Sequence, residues 1–178
     1  MVSEIIFYHK KRDNGEYQGS LEITCCLKEK HLSKIKVLRG LPGAGKSTFV
    51  KGNFPEATVL SADDYFVGED DVYRFNPADI GLAHGRCFRL VIEALQRGDE
   101  LVVVDNTATT IAEVAPYMLA AQAYGYDAEI ITLRCDPAIA ASRNIHGVPE
   151  PLVMKMAEAL EAGSQALMPW WQHCVVEV

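Results

Sequence analysis

Four short runs of aliphatic and β-branched residues punctuate the chain after residue 34, at Ile35–Arg39, Ala57–Ser61, Leu101–Asp105 and Ala128–Leu133. Each is strand-length and bounded by polar or turn-forming residues, as expected of strands covered on both faces. Helical stretches fill the gaps. Pro77–Arg97 is long and amphipathic and closes at Gly98, while Ile111–Tyr124 opens on the capping-box pattern Thr110-x-x-Glu113 and closes at Gly125. Asp136-Pro137 reads as an N-cap followed by an N1 proline, and Pro151–Ala162 as a final helix. Strands alternating with helices predict an α/β fold, a mostly parallel sheet with helices on both faces. Ahead of it, residues 4–9 and 20–28 read as strands joined by the turn signal Asp13-Asn14-Gly15, a β-hairpin extension over residues 1–34 preceding a core over 35–162. Residues 163–178, with Met168-Pro169-Trp170-Trp171, read as a C-terminal tail packed against the body.

Composition narrows the class. A chain of 178 residues predicts one domain with enough length to bury a core. No apolar run approaches the ~20 residues needed to cross a bilayer, so no membrane partner is expected. The start, Met1-Val2-Ser3-Glu4, lacks a basic segment followed by an apolar one, and no signal peptide is expected. Cys25, Cys26, Cys87, Cys135 and Cys174 form no C-x-x-C pair. Reduced thiols in a cytoplasmic setting, without a zinc site, are the simplest reading. The net charge of −7 argues against broad nucleic-acid affinity. Residues 1–39 carry eight Lys/Arg against five Asp/Glu, and the remainder nine against nineteen. That basic leading segment either helps position a polyanion or is ordinary solvated surface.

The chemistry centres on Gly40-Leu41-Pro42-Gly43-Ala44-Gly45-Lys46-Ser47-Thr48, which fits G-x-x-x-x-G-K-[ST] and lies between a predicted strand and a predicted helix. Its glycines let the backbone approach an anion closely, and its N–H groups with the positive end of the following helix face a polyphosphate. Lys46 is placed to reach the β- and γ-phosphates and the Ser47 hydroxyl to ligate Mg²⁺. The loop implies a nucleoside triphosphate and leaves the acceptor open.

In a parallel sheet ligands sit at the carboxyl ends of the strands, so the residues ending each strand are the informative ones. Ser61-Ala62-Asp63-Asp64-Tyr65-Phe66 follows the second strand; Asp63 there either accepts a proton from an attacking hydroxyl or caps the next helix. Val102-Val103-Val104-Asp105 is an apolar strand ending in a carboxylate suited to Mg²⁺. His84, Arg86 and Arg89 on the long helix are candidate substrate contacts; the two arginines share a face and hold a phosphate or face solvent. Arg143 closes a short helix, where it either stabilises transferring phosphoryl oxygens or answers the helix dipole.

Taken in order, Gly40–Thr48, Ser61–Phe66, Asp105-Asn106-Thr107, Pro116-Tyr117 and Arg143-Asn144-Ile145-His146-Gly147-Val148-Pro149 resemble the P-loop kinases related to the 5′-kinase domain of bacteriophage polynucleotide kinase. The resemblance covers about residues 35–162. It implies that Asp63 is the general base, that Lys46 and Ser47 contact phosphate and Mg²⁺, and that Arg143 is a lid arginine on ATP. It also implies an acceptor on nucleic acid or a nucleotide. Two positions depart from the pattern: Phe66 stands where the polynucleotide kinases carry an acceptor-binding arginine, and Ala108 where Asn commonly follows Asp-Asn-Thr. A plain 5′-hydroxyl end is thereby questioned. The resembling group also holds phage enzymes that phosphorylate 5-hydroxymethyluracil in DNA, and an aromatic at 66 suits an acceptor read by stacking, with Asp64 beside it. The rival readings are an ATP-driven switch or adaptor, which would hydrolyse ATP without a phosphorylated acceptor, and a small-metabolite kinase.

Overall fold

The computed structural model describes residues 33–178; the strands expected at 4–9 and 20–28, with their turn, lie outside the described residues. Five strands form one sheet: β1 (Lys34–Arg39), β2 (Thr58–Leu60), β3 (Leu101–Asp105), β4 (Asp127–Arg134) and β5 (Gln172–Glu177). Their spatial order is β2-β3-β1-β4-β5, and every pairing is parallel. The helices are α1 (Lys46–Asn53), α2 (Ile80–Arg97), α3 (Ile111–Tyr124), α4 (Pro137–Arg143) and α5 (Glu150–Gln165), with a 3-10 turn at Asp63–Phe66.

The central strands β1, β3 and β4 bury residues on both faces, which is why Val102–Val104 and Ile130–Leu133 read as apolar runs, while the edge strands β2 and β5 stay partly exposed. Alternate residues serve opposite faces. Ile35, Val37, Val102, Val104 and Ile130 pack with α2 and α3, while Leu38, Val103, Ile131 and Leu133 pack with Val50 of α1. Each such side chain contributes about 1.5–3 kcal/mol on leaving water. A third cluster joins Leu41 and Ala44 of the phosphate loop to Ala140 of α4 and to Val153 and Leu160 of α5.

The capping box forms as the spacing predicts, with the Thr110 N–H donating to the Glu113 carboxylate at 2.8 Å. Asp136 accepts from the N–H groups of Ala138 and Ile139, opening α4. Residues 163–178 are not a tail. They complete α5 and then add β5, whose Gln172–Glu177 pair in register with Glu129–Arg134. Trp171 packs on the core, but Trp170 is 74% exposed.

One buried charge fixes the sheet's carboxyl edge. Arg39 ends β1 with no solvent exposure. Its guanidinium donates to the carbonyls of Ala108 (2.8 Å), Thr109 (3.0 Å) and Leu160 (3.5 Å), and to the Ser164 hydroxyl (3.3 Å). Burial lowers its pKa from the ordinary value, with Glu113 opposing the shift. It ties the β3–α3 loop and α5 to the strand that launches the phosphate loop.

Candidate active site

The phosphate loop leaves β1 at the point where the order of the sheet reverses, the place where such sheets bind ligands. Gly43 and Gly45 hold φ of 81° and 86°, left-handed values that favour glycine. At Gly43 a Cβ would lie 2.1 Å from the Ala140 carbonyl oxygen and 2.9 Å from the Asn144 nitrogen, so the loop rests directly on the end of α4. Gly45 precedes α1, whose first turn holds no acidic residue and whose N-cap offers no side-chain bond. The leading N–H groups of α1 are thus free of a carboxylate, as an anion site requires.

Lys46 reaches back across the loop and donates to the carbonyls of Gly40 (3.1 Å) and Leu41 (3.0 Å). Desolvation lowers its pKa, and the charges of Asp105 and then Asp63 oppose that shift. The ammonium is therefore held in a partly dry site that an arriving anion would relieve.

Strand register brings the two acidic strand ends to it. Leu38 pairs with Asp105, so the carboxylate ending β3 stands beside the start of the loop. The Ser47 hydroxyl donates to Asp105 Oδ2 at 2.7 Å. Asp105 is 8% exposed; burial pushes its carboxyl up, the Ser47 bond and Lys46 oppose this, and Asp63 and Asp64 add to it. A hydroxyl and a buried carboxylate in contact fit Mg²⁺, which takes one or two protein oxygens and completes its shell with phosphate and water. Among the described residues no group of three His, Cys, Asp or Glu is placed to hold a metal ion.

Leu60 pairs with Val104, so the chain leaving β2 runs level with Asp105. Ser61 fastens it there, its hydroxyl donating to the Asp105 carbonyl at 2.8 Å and accepting from the Asp63 N–H at 3.2 Å. Asn106 adds a second, buried anchor. Its amide oxygen accepts from the Ala62 N–H at 2.9 Å, and its amide nitrogen donates to the Tyr117 hydroxyl at 3.3 Å. Asp63 thus enters the 3-10 turn with its backbone pinned and its carboxylate exposed, near enough for its charge to act on Lys46. It makes no side-chain cap of that turn, where Ala62 is the N-cap.

These features match a known family. The family model described as AAA domain (AAA_33) covers residues 35–146, more than half of the chain. The chain belongs to that family. A human protein, NEDD4-binding protein 2, is 33% identical over 134 residues, which are 70% of this chain and 7% of that protein. The chain spans only a small part of the curated relatives it matches. Among solved structures, a gluconokinase from Sinorhizobium meliloti 1021 aligns with TM-score 0.56 and 16% identity, covering 83% of each chain. A chain of the Pnkp1/Rnl/Hen1 RNA repair complex aligns with TM-score 0.61 and 15% identity, over 78% of this chain and 47% of that one. At such identities the likeness is one of fold, and that fold is the P-loop kinase fold.

Within this AAA-domain chain the other predicted residues are distributed unevenly. Pro42 and Ala44 are buried supports of the loop, and Thr48 is exposed in the first turn of α1. Arg143 is exposed at the end of α4, next to the Asn144 nitrogen that meets Gly43. Asp64 turns back to accept from the Ser61 N–H at 3.2 Å. Phe66 corrects the stacking expectation: it is 6% exposed and ringed edge-on by Tyr65, Tyr73 and Phe75, so it offers no free face to a base. His84 lines a cavity of about 400 Å³ between α2 and α3 with Phe88, Glu113 and Tyr117. Arg86 and Arg89 are exposed on α2. A second cavity, of about 380 Å³, opens beside Leu41 between the ends of β4 and β5 and α5. Among the described residues no helix is long and apolar enough to cross a membrane.

The site also rests on Ser61, Asn106 and Tyr73, none of which is a candidate by residue type alone. Asn106 carries a readable signal, a polar residue directly after the strand-end carboxylate Asp105, and Ser61 is the polar residue directly after β2.

Proposed function

We propose that this domain is an ATP- and Mg²⁺-dependent kinase that transfers the γ-phosphoryl group to a hydroxyl on nucleic acid or a nucleotide, either a 5′-hydroxyl end or a base hydroxymethyl group. One observation carries the transfer reading. Ser61 joins the Asp63 N–H to the Asp105 carbonyl, and the Asp105 carboxylate accepts from Ser47, the chain neighbour of Lys46, so that the exposed carboxylate, the candidate metal-site carboxylate and the cation belong to one cluster at the carboxyl ends of β1, β2 and β3. The acceptor class is supported by the motif series from Ser61 to Pro149.

Asp63 accepts the proton of the acceptor hydroxyl as its oxygen attacks phosphorus. Lys46, the loop N–H groups and Arg143 hold the phosphate oxygens and balance the charge that spreads over them in flight. When bound to Ser47 and Asp105, Mg²⁺ would neutralise phosphate charge. The cavity beside Leu41 is of a size to take a nucleoside and lies next to the loop.

The test offers radiolabelled ATP with 5′-hydroxyl DNA, 5′-hydroxyl RNA, hydroxymethylated DNA, nucleosides and small alcohols to the wild type and Asp63→Asn. The expected outcome is labelled nucleic acid or nucleotide with the wild type, and retained ATP binding with transfer reduced at least 100-fold in the variant. Wild-type transfer by Asp63→Asn removes the base from its role.

A further inference from the structure

Tyr73 directly follows the polar stretch Gly68-Glu69-Asp70-Asp71-Val72, and the loop they form is tightly built. Val67 and Tyr73 form an antiparallel bridge. The Gly68 N–H donates to the Val72 carbonyl at 3.1 Å, and the Arg74 N–H to the Phe66 carbonyl at 2.8 Å. Arg74 clasps the Asp70 carboxylate through both terminal nitrogens, at 2.8 and 2.6 Å. This small hairpin holds the Tyr73 ring edge-on to Phe66, with centroids 6.0 Å apart.

From that seat Tyr73 faces two elements of the crevice. Its hydroxyl donates to Asp63 Oδ1 at 3.3 Å. Its ring meets the His146 ring, with centroids 4.7 Å apart and planes inclined at 53°. His146 belongs to a turn that is itself locked. The Asn144 side chain donates to the Val148 carbonyl at 2.9 Å and accepts from the His146 N–H at 3.0 Å, and Gly147 takes a left-handed φ of 70°. The same Asn144 abuts the phosphate loop at Gly43 through its backbone nitrogen. A continuous series of contacts therefore runs from the loop, through the turn after Arg143, to Tyr73 and Asp63.

We infer that Tyr73 is a positioning residue that holds the Asp63 carboxylate and, through His146, ties it to the turn following Arg143. The inference rests on Asp63 being the base proposed above. A carboxylate on an exposed 3-10 turn has free rotamers, and a fixed donor on one oxygen leaves the other aimed at the acceptor. Burial, with the Asp63 charge adding to it, pushes the Tyr73 hydroxyl up to about 12, so it remains a donor throughout the range in which a kinase is assayed. The 3.3 Å separation is long for an O–H donor, as catalytic bonds often are before substrate tightens them.

Two substitutions separate the two contacts. Tyr73→Phe removes the hydroxyl and keeps the ring, whereas His146→Ala does the reverse. Steady-state transfer is measured on whichever acceptor the wild type labels, or on water as acceptor if none is labelled. Asp63→Asn is run alongside, and hydrogen exchange is followed across residues 144–148. Tyr73→Phe should lower kcat roughly tenfold, between the loss of one hydrogen bond and a full misplacement of the base. KM for ATP and the exchange of 144–148 should stay at wild-type values. His146→Ala should speed exchange across 144–148 and raise KM for ATP several-fold, because Arg143 precedes that turn. If Asp63→Asn is inactive but Tyr73→Phe keeps kcat within twofold of wild type, the positioning role is wrong while the kinase reading stands. Unchanged exchange in His146→Ala removes the tie to the turn. An active Asp63→Asn instead overturns the reading on which the inference rests.

Discussion

Gly43 and Gly45 share nearly the same left-handed backbone but have opposite surroundings, so alanine at each separates strain from crowding. The left-handed conformation costs an alanine about 1–2 kcal/mol at either position. At Gly45 nothing lies within 4 Å of the new methyl group, so that cost is the whole effect. At Gly43 the methyl would fall 2.1 Å from the Ala140 oxygen. A carbon–oxygen contact needs about 3.3 Å, so α4 must retreat by roughly 1 Å from its packed position. Overpacking of that kind costs a further 1–3 kcal/mol or so. At about 2–4 °C per kcal/mol for a domain of this size, Gly43→Ala should melt roughly 2–12 °C below Gly45→Ala. Thermal unfolding followed by circular dichroism without nucleotide measures the difference. Equal melting temperatures, or a less stable Gly45→Ala, would refute the packing of the loop on α4. With ATP and Mg²⁺ added, Gly43→Ala should still gain stability, whereas Gly45→Ala, whose methyl stands on the open side of the loop, should gain less than wild type.

Arg39→Met should keep the packing of the stem but orphan the carbonyls of Ala108, Thr109 and Leu160, at a cost of about 2–4 kcal/mol in a urea titration; a loss under 1 kcal/mol would show that these carbonyls find other donors. The acid limb of stability has a separate source in Lys36 and Glu129, paired side by side on β1 and β4. Lys36 holds Glu129 below its ordinary value of 4.5, so the pair stabilises fully above that pH and its contribution is lost as pH falls through the lower folded value. Glu129→Gln should therefore be about 1 kcal/mol less stable at pH 7, and the gap should close as pH falls through the lowered folded value of Glu129; a gap constant with pH would assign it to packing instead.

Local pattern made much of this molecule readable. Ile35, Val37 and Val102–Val104 announce strands buried on both faces, because a parallel sheet covered by helices has no polar side to encode. Gly98, Gly125 and Thr110-x-x-Glu113 announce helix ends, because caps are satisfied within a few residues. The phosphate loop is legible for the same reason: its glycines, lysine and serine form one motif in one contiguous stretch. β5 was hidden. Gln172–Glu177 is short, follows Pro169-Trp170-Trp171 and becomes a strand only where the open edge of β4 offers it partners. Phe66, an aromatic residue beside polar ones, looks available along the sequence, and only the packing of Tyr65, Tyr73 and Phe75 around it takes it out of reach.

The chain by itself determined most of the elements, β5 excepted, and the motif that marks the phosphate loop, since propensity, capping and that motif are short-range properties. Only the tertiary structure decided which of those residues meet. The register of β1 with β3 and of β3 with β2 sets Asp105 against Ser47 and brings the turn that carries Asp63 level with Asp105. The packing of two loops seventy residues apart brings Tyr73 between Asp63 and His146. Such meetings depend on strand order and loop packing, long-range quantities that no window along the sequence contains.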